Sequence, residues 1–191
     1  MRARIGLRFT AGHANSGTGE KRGGISSGNW RSVEAFLSLT LPGTKVVVGD
    51  GPARESLTRR FPEATFLGTK RGAELATIYA AADIFVFPSR TDTFGLVLLE
   101  ALASGLPIAG FPVAATRDVV GSAPVAALDE DLHSACLRAL TIPRADCRRY
   151  AETLTWEESA RSFLGNVVRI PEVTATSTAP SVPRVLEPAG E

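Results

Sequence analysis

Two carboxylates, Asp92 and Glu100, bracket the nearly apolar stretch Thr93-Phe-Gly-Leu-Val-Leu-Leu99. An ionised carboxylate buried without partners is costly, so Glu100 either finds donors inside the protein or faces something it binds. The residues before it suggest what that is. Asp83-Ile-Phe-Val-Phe87 reads as a strand and Phe94 to Ala103 as a helix, so the amides of Phe94, Gly95 and Leu96 are expected to point out of the helix's first turn. Such an end attracts anions through its free N–H groups and the positive pole of the helix dipole. Gly95, without a Cβ, lets a phosphate come close to the backbone. Glu100 lies five residues further along, roughly 7 to 8 Å at about 1.5 Å of rise per residue. That is about the reach from a diphosphate to the vicinal hydroxyls of a ribose, and a carboxylate accepts hydrogen bonds from two such groups. Asp92, beside the anion site, would repel phosphate and suits sugar hydroxyls or a developing cation beyond the diphosphate. The structural alternative stays open here: Asp92 caps the helix, and Glu100 pairs with a buried arginine or with backbone N–H groups.

These residues need a scaffold, and the chain supplies alternating elements. Trp30, Val33, Phe36 and Leu37 recur at helical spacing, and Lys45-Val-Val-Val-Gly49 is a strand ending in Asp-Gly-Pro. Ala53 to Phe61 reads as a helix opened by Pro52, Ala64 to Leu67 as a strand, and Gly72 to Ala82 as a helix. After the Asp92–Glu100 segment come strands at Pro107 to Phe111 and Val125 to Leu128, then helices over Asp131 to Leu140 and Arg144 to Glu152. Thr155-Trp-Glu-Glu158 is a capping box that opens a last helix with Trp156, Ala160, Phe163, Leu164 and Val167 on one face. Strands alternating with helices, most of them apolar all round, indicate an α/β fold: a parallel sheet with helices on both faces. Such sheets bind ligands at the carboxyl ends of their strands. The turns at Gly49 to Pro52, Gly68 to Arg71, Pro88 to Phe94 and Phe111 to Arg117 are therefore the ones to watch.

The 191 residues suit one domain of ordinary size, with 44% hydrophobic and 21% charged residues. No window approaches the roughly 18 consecutive apolar residues of a membrane span. Arg8 interrupts the apolar stretch at the start before an export signal forms, so the cytoplasm is the expected compartment. Residues 1–31 carry six cations (Arg2, Arg4, Arg8, Lys21, Arg22, Arg31) against Glu20, a net +5, which leaves −4 for the rest of a chain of net +1. This glycine-rich arm is read as a solvated coil rather than a nucleic-acid-binding or membrane-binding one. Residues 171–191, rich in Pro, Thr, Ser and Ala, are read as a disordered tail. Cys136 and Cys147 have neither C-x-x-C spacing nor other cysteines to join, and read as buried or idle thiols.

The segment Asp92-x7-Glu100, with Phe94-Gly-Leu96 inside it and Gly105-Leu-Pro107 after it, resembles the E-x7-E signature of the retaining glycosyltransferases of family 4. Val48-Gly-Asp-Gly-Pro52, Phe66-Leu-Gly68, Ile78-Tyr-Ala-Ala-Ala-Asp83 and Phe87-Pro-Ser89 are similar to that family in order and spacing. The match covers about residues 32 to 168. The Ser-Arg-Thr-Asp-Thr-Phe-Gly form looks most like the branch of bacterial α-mannosyltransferases and plant-type sulfolipid synthases. The resemblance implies one half of a glycosyltransferase-B fold: a Rossmann-like domain over residues 32–168 that holds a nucleotide sugar. It implies that Glu100 grips the ribose, the amides around Phe94, Gly95 and Leu96 take the diphosphate and donor sugar, and Asp92 acts at the reacting sugar. The base is placed near Leu67 and Lys70. No obligatory metal and no further cofactor are implied; the donor would be GDP-mannose or a UDP-sugar, and a hexose the group transferred.

Two departures from the family bear on activity. Nothing before residue 32 looks like its acceptor-binding half, and its G-R-x4-K diphosphate clamp, due just before Val33, is replaced by Gly23-Gly-Ile-Ser-Ser-Gly-Asn-Trp-Arg31. The expectation is a reading frame truncated or shifted upstream, and a chain inactive on its own. The alternative is a non-catalytic nucleotide-sugar-binding module that pairs with a separate acceptor-binding chain, with peripheral membrane contact allowed and nucleic acid excluded. Asp129-Glu-Asp131 imitates a metal-binding D-x-D but opens a helix, where acids suit the dipole. His13 and His133 have no companion ligands, and Gly12 to Gly17 lacks the lysine of a phosphate loop.

Overall fold

The apolar runs become the strands of a single parallel sheet. In the computed structural model, which describes residues 4–8, 27–91 and 95–168, these are β1 (Arg4–Arg8), β2 (Thr44–Val48), β3 (Thr65–Phe66), β4 (Ile84–Phe87), β5 (Ile108–Gly110) and β6 (Ala126–Leu128). Their spatial order is β3-β2-β1-β4-β5-β6, and each neighbouring pair is parallel. Between and after them lie α1 (Ser27–Leu37), α2 (Arg54–Arg60), α3 (Gly72–Ala81), α4 (Leu96–Ala103), α5 (Ala114–Val120), α6 (Leu132–Ala139) and α7 (Arg144–Ala151). The strand order reverses between β1 and β4, and such a switch point opens a crevice at the carboxyl ends of the strands.

Alternation along each strand feeds two core layers. Val47, Ile84, Val86, Ala109 and Ala127 pack on one face with Val33, Phe36 and Leu37 of α1, Leu57 of α2, and Leu132, Ala135 and Cys136 of α6. Val48, Phe85, Phe87 and Ile108 point to the other, against Leu75 and Tyr79 of α3, Leu98, Ala101 and Leu102 of α4, Val119 and Val120 of α5 and Cys147 of α7. All four residues of β4 are buried, as a central strand covered on both faces requires. Burying a Phe, Leu or Ile side chain fully contributes roughly 1.5–3 kcal/mol, so these layers are what hold the carboxyl-edge loops in place.

Two sequence expectations are corrected. Arg4–Arg8 is not part of a solvated arm: it pairs in register with all of β2 and, through Ile5 and Gly6, with β4. A five-residue strand with an arginine at each end offers too short an apolar run to be distinguished from a coil by periodicity. The other end of that arm is also structured, since α1 begins at Ser27; residues 9–26, with His13, Lys21 and Arg22, lie outside the described residues. Second, the stretch after Phe111, read only as a turn, contains α5, whose Ala115, Thr116, Val119 and Val120 are buried. The chain divides into two units, residues 1–155 and Trp156 onward.

Within that second unit α8 (Trp156–Asn166) is a helix whose first turn carries Glu157 and Glu158, complementing its dipole. Arg161 pairs with Glu158 one turn back. Residues 171–191, expected to be a disordered tail, lie outside the described residues. Among the described residues, no helix is long and apolar enough to cross a membrane.

Candidate functional site

The loop leaving β4 begins Pro88-Ser-Arg-Thr91 and re-enters regular structure at Gly95, the N-cap of α4. Asp92 and Phe94 lie outside the described residues. Gly95 adopts φ 63°, ψ 48°, the left-handed region that glycine enters without penalty. A Cβ there would stand 2.9 Å from Cδ1 of Leu98, which is fully buried. Glycine is thus required twice over, by backbone conformation and by the packing beneath it. The Leu98 amide donates to the Gly95 carbonyl at 2.8 Å. The amides of Leu96 and Val97 precede the first intrahelical partner and open toward the carboxyl edge.

One turn further on, Glu100 occupies an exposed position of α4, while Leu98, Ala101 and Leu102 turn inward. The sequence posed it as a buried charge; the helix instead presents it on its outer side. Its Oε2 accepts a hydrogen bond of 3.0 Å from the hydroxyl of Tyr79 on α3. Tyr79 itself is 6% exposed, its ring 5.9 Å from that of Phe85. Sequence reasoning missed it because an aromatic among Ile78, Ala80 and Ala81 reads as core. The available signal was chemical, since a buried tyrosine hydroxyl needs a partner.

Neighbouring carboxyl-edge loops are tied to one another. After β3, the Leu67 amide donates to the Val47 carbonyl at 2.9 Å, and Gly49 donates to the Gly68 carbonyl at 2.8 Å, joining the loops of β2 and β3. Lys70, in the same loop, pairs with Glu74 at 3.1 Å. A cleft of about 480 Å³ lies beside these loops, lined by Asp50, Gly51, Pro52, Arg54 and residues of α2. On the far side Arg90 lies 3.6 Å over the ring of Phe111 and pairs with Glu130 at 2.8 Å. That one guanidinium connects the loops after β4, β5 and β6. Its role was not read from sequence, since it depends on residues 21 and 40 positions away.

The metal-like acids resolve into a helix start. Asp131 caps α6, accepting from the amides of His133 and Ser134 and from the Ser134 hydroxyl at 2.6 Å. That hydroxyl, ahead of the amide bonds, holds the Asp131 carboxyl below its usual range. Asp129 pairs with Arg138 and Glu130 with Arg90. Cys136 and Cys147 are free and buried, their thiols pushed up to about 12 and about 11 by burial.

Comparison with known proteins points one way. Over 95 residues, 47% of this chain and 19% of the relative, the sequence is 42% identical to the sulfoquinovosyl transferase SQD2 of Arabidopsis thaliana. It is 40% identical over 107 residues to a GDP-mannose-dependent alpha-mannosyltransferase of Mycolicibacterium smegmatis, covering 55% of this chain and 28% of that one. The chain thus spans less than a third of the length of these curated relatives. Among solved structures, WaaG, a glycosyltransferase involved in lipopolysaccharide biosynthesis, superposes with a TM-score of 0.57 at 22% identity. That match takes in 87% of this chain and 48% of WaaG, and it shows the fold, a parallel sheet with helices on both faces that corresponds to one half of a glycosyltransferase-B fold. The family model of the glycosyl transferases group 1 matches residues 33–142, more than half the chain, running from α1 through the loops described above to the end of α6; the chain belongs to that family.

Proposed function

We propose that this chain is the donor-binding part of a retaining glycosyltransferase that moves a hexose from a nucleotide sugar. The observation that carries the reading is the placement of Glu100: exposed on α4, five residues past a glycine N-cap, on a helix that starts at the carboxyl edge of the sheet. A diphosphate at the helix start would receive the amides of Leu96 and Val97 and the dipole's positive end. The spacing of roughly 7–8 Å then sets the ribose diol beside the Glu100 carboxylate. Leu67 and Lys70, in the loop after β3, border the place assigned to the base. Asp92, on sequence grounds, takes the donor sugar near its reacting carbon, and Phe94 contributes its amide. The scheme assigns stabilisation of the departing diphosphate to the backbone donors at the helix start and invokes no metal ion. A mannosyl donor is favoured by the similarity to a GDP-mannose-dependent enzyme.

The test is calorimetric titration of the 191-residue chain with GDP, UDP, GDP-mannose and UDP-glucose, alongside Glu100→Ala. Wild type is expected to bind at least one of them. Losing a charged acceptor's hydrogen bonds, worth about 1.5–3 kcal/mol, should weaken that ligand roughly 10- to 150-fold in Glu100→Ala. No binding by wild type at millimolar ligand would end the donor-site reading, and equal binding by Glu100→Ala would end the ribose role.

A further inference from the structure

We infer that Tyr79 is a positioning residue for ribose recognition, holding the Glu100 carboxylate in the orientation that receives the diol. The inference rests on the donor-site reading above and adds to it a residue from a different helix.

Three observations carry it. The Tyr79 hydroxyl donates to Glu100 Oε2 at 3.0 Å, across a sequence separation of 21 residues. The ring that supplies this hydroxyl is 6% exposed and fixed in the layer of Leu75, Phe85, Leu98 and Leu102. Glu100, in contrast, is at an exposed position, and a glutamate side chain has many rotamers to lose on ordering. A rigid donor therefore meets a flexible acceptor. Helix side chains lean toward the helix N-terminus. Both α3 and α4 follow strands of a parallel sheet and start at its carboxyl edge, so phenol and carboxylate both reach toward that edge. A carboxylate has about four acceptor sites, and the phenol bond to Oε2 occupies one of them.

The consequence is preorganisation. Ordering one rotamer-rich side chain on binding costs about 0.5–1.5 kcal/mol, equivalent to a factor of about 2 to 13 in affinity. The phenol removes that cost before the ligand arrives. The benefit exists only for a ligand with the diol, which separates positioning from general support of the fold.

The experiment measures affinities of GDP and UDP, each beside its 2′,3′-dideoxy counterpart, for four chains: wild type, Tyr79→Phe, Glu100→Ala and the double variant. Wild type is expected to prefer the ribonucleotide. Tyr79→Phe should weaken the ribonucleotide about 2- to 13-fold and leave the dideoxy form unchanged, and it should have no effect once Glu100 is alanine. Equal weakening of both nucleotides, or of neither, by Tyr79→Phe overturns the inference while leaving the Glu100 role intact. Failure of wild type to bind, or a ribose preference that survives Glu100→Ala, overturns the donor reading and this inference with it. If Tyr79→Phe does not melt cooperatively, 3-fluorotyrosine at position 79 replaces it. Its altered donor strength must then shift the ribose preference, and an unchanged preference overturns the inference.

Discussion

Replacing Gly95 by alanine separates two demands that the structure makes of one residue. Its φ of 63° lies in the left-handed region, where an L side chain costs about 1–2 kcal/mol. The added Cβ would also stand 2.9 Å from Leu98 Cδ1 and 3.2 Å from Leu98 Cγ. Leu98 has no room to withdraw, being fully buried in the layer that covers β4 and β5, and overpacking of that kind costs about 1–3 kcal/mol. The combined expectation is a loss of about 2–5 kcal/mol. Gly72 supplies the control: its φ is 53°, but a Cβ there meets nothing within 4 Å. Gly72→Ala should therefore lose only the backbone cost of about 1–2 kcal/mol. Urea unfolding of the two variants and wild type reads the difference. With slopes of about 1–3 kcal/mol/M, Gly95→Ala should fall below Gly72→Ala by about 0.3–3 M in midpoint. Equal midpoints would refute the claim that Leu98 is an immovable neighbour, and a Gly95→Ala chain as stable as wild type would refute the left-handed cap itself.

Arg144 donates to the Ala82 and Ala80 carbonyls beyond and within α3 and to the Ser104 carbonyl after α4, so it ties together the two helices that carry Tyr79 and Glu100. Arg144→Ala should cost about 2–4 kcal/mol in urea unfolding, and Arg144→Lys, lacking the planar fork, should recover less than half of it; a loss near zero for alanine would refute the clamp. The two thiols should resist Ellman's reagent at pH 8 in the native chain and both react in urea, since burial pushes them from an ordinary 9.0 up to about 12 (Cys136) and about 11 (Cys147). The sign follows: above pH 9 the unfolded chain releases thiol protons that the folded chain keeps, so stability falls as pH rises from 9 toward 11, and rapid native labelling or the loss of that slope in neither single Cys→Ala variant would contradict it.

The strands that pack on both faces were the ones written in continuous apolar letters. Lys45-Val-Val-Val48 and Ile84-Phe-Val-Phe87 cannot be solvated on either side, so their type followed from composition and length. β1 failed that criterion, although it lies between β2 and β4. Its five residues run Arg-Ile-Gly-Leu-Arg, and what makes them a strand is the five-residue register offered by β2, a tertiary fact absent from local sequence. α5 was hidden differently. Val113, the N-cap of the seven-residue helix, makes no side-chain hydrogen bond, and the turn before it is fixed by Thr116, which donates to the Phe111 carbonyl at 2.6 Å. A threonine bonding backward over five residues leaves no start signal of the Ser-x-x-Glu kind.

Glu100 shows where sequence reasoning about a site stops and side-chain geometry takes over. Its spacing from Gly95 was legible because a helix has a fixed rise, but its environment was not. A mostly apolar helix of eight residues that packs on only one side must leave some positions facing out, and period alone could not say that position 100 was among them. Once it is placed on the outer side, the cost of a buried charge no longer applies, and the question becomes what orients an exposed glutamate. The answer comes from α3, which the chain reaches 21 residues earlier. The separation has a topological cause. The crossover from β3 to β4 carries α3 over the same face that α4 covers, so a phenol and a carboxylate far apart in sequence converge beside the carboxyl edge. Any variant that displaced α3 relative to α4, Arg144→Ala included, should therefore erode ribose preference before it erodes dideoxynucleotide binding. A variant that perturbs only the first turn of α4 should weaken both nucleotides alike, because the diphosphate is common to them.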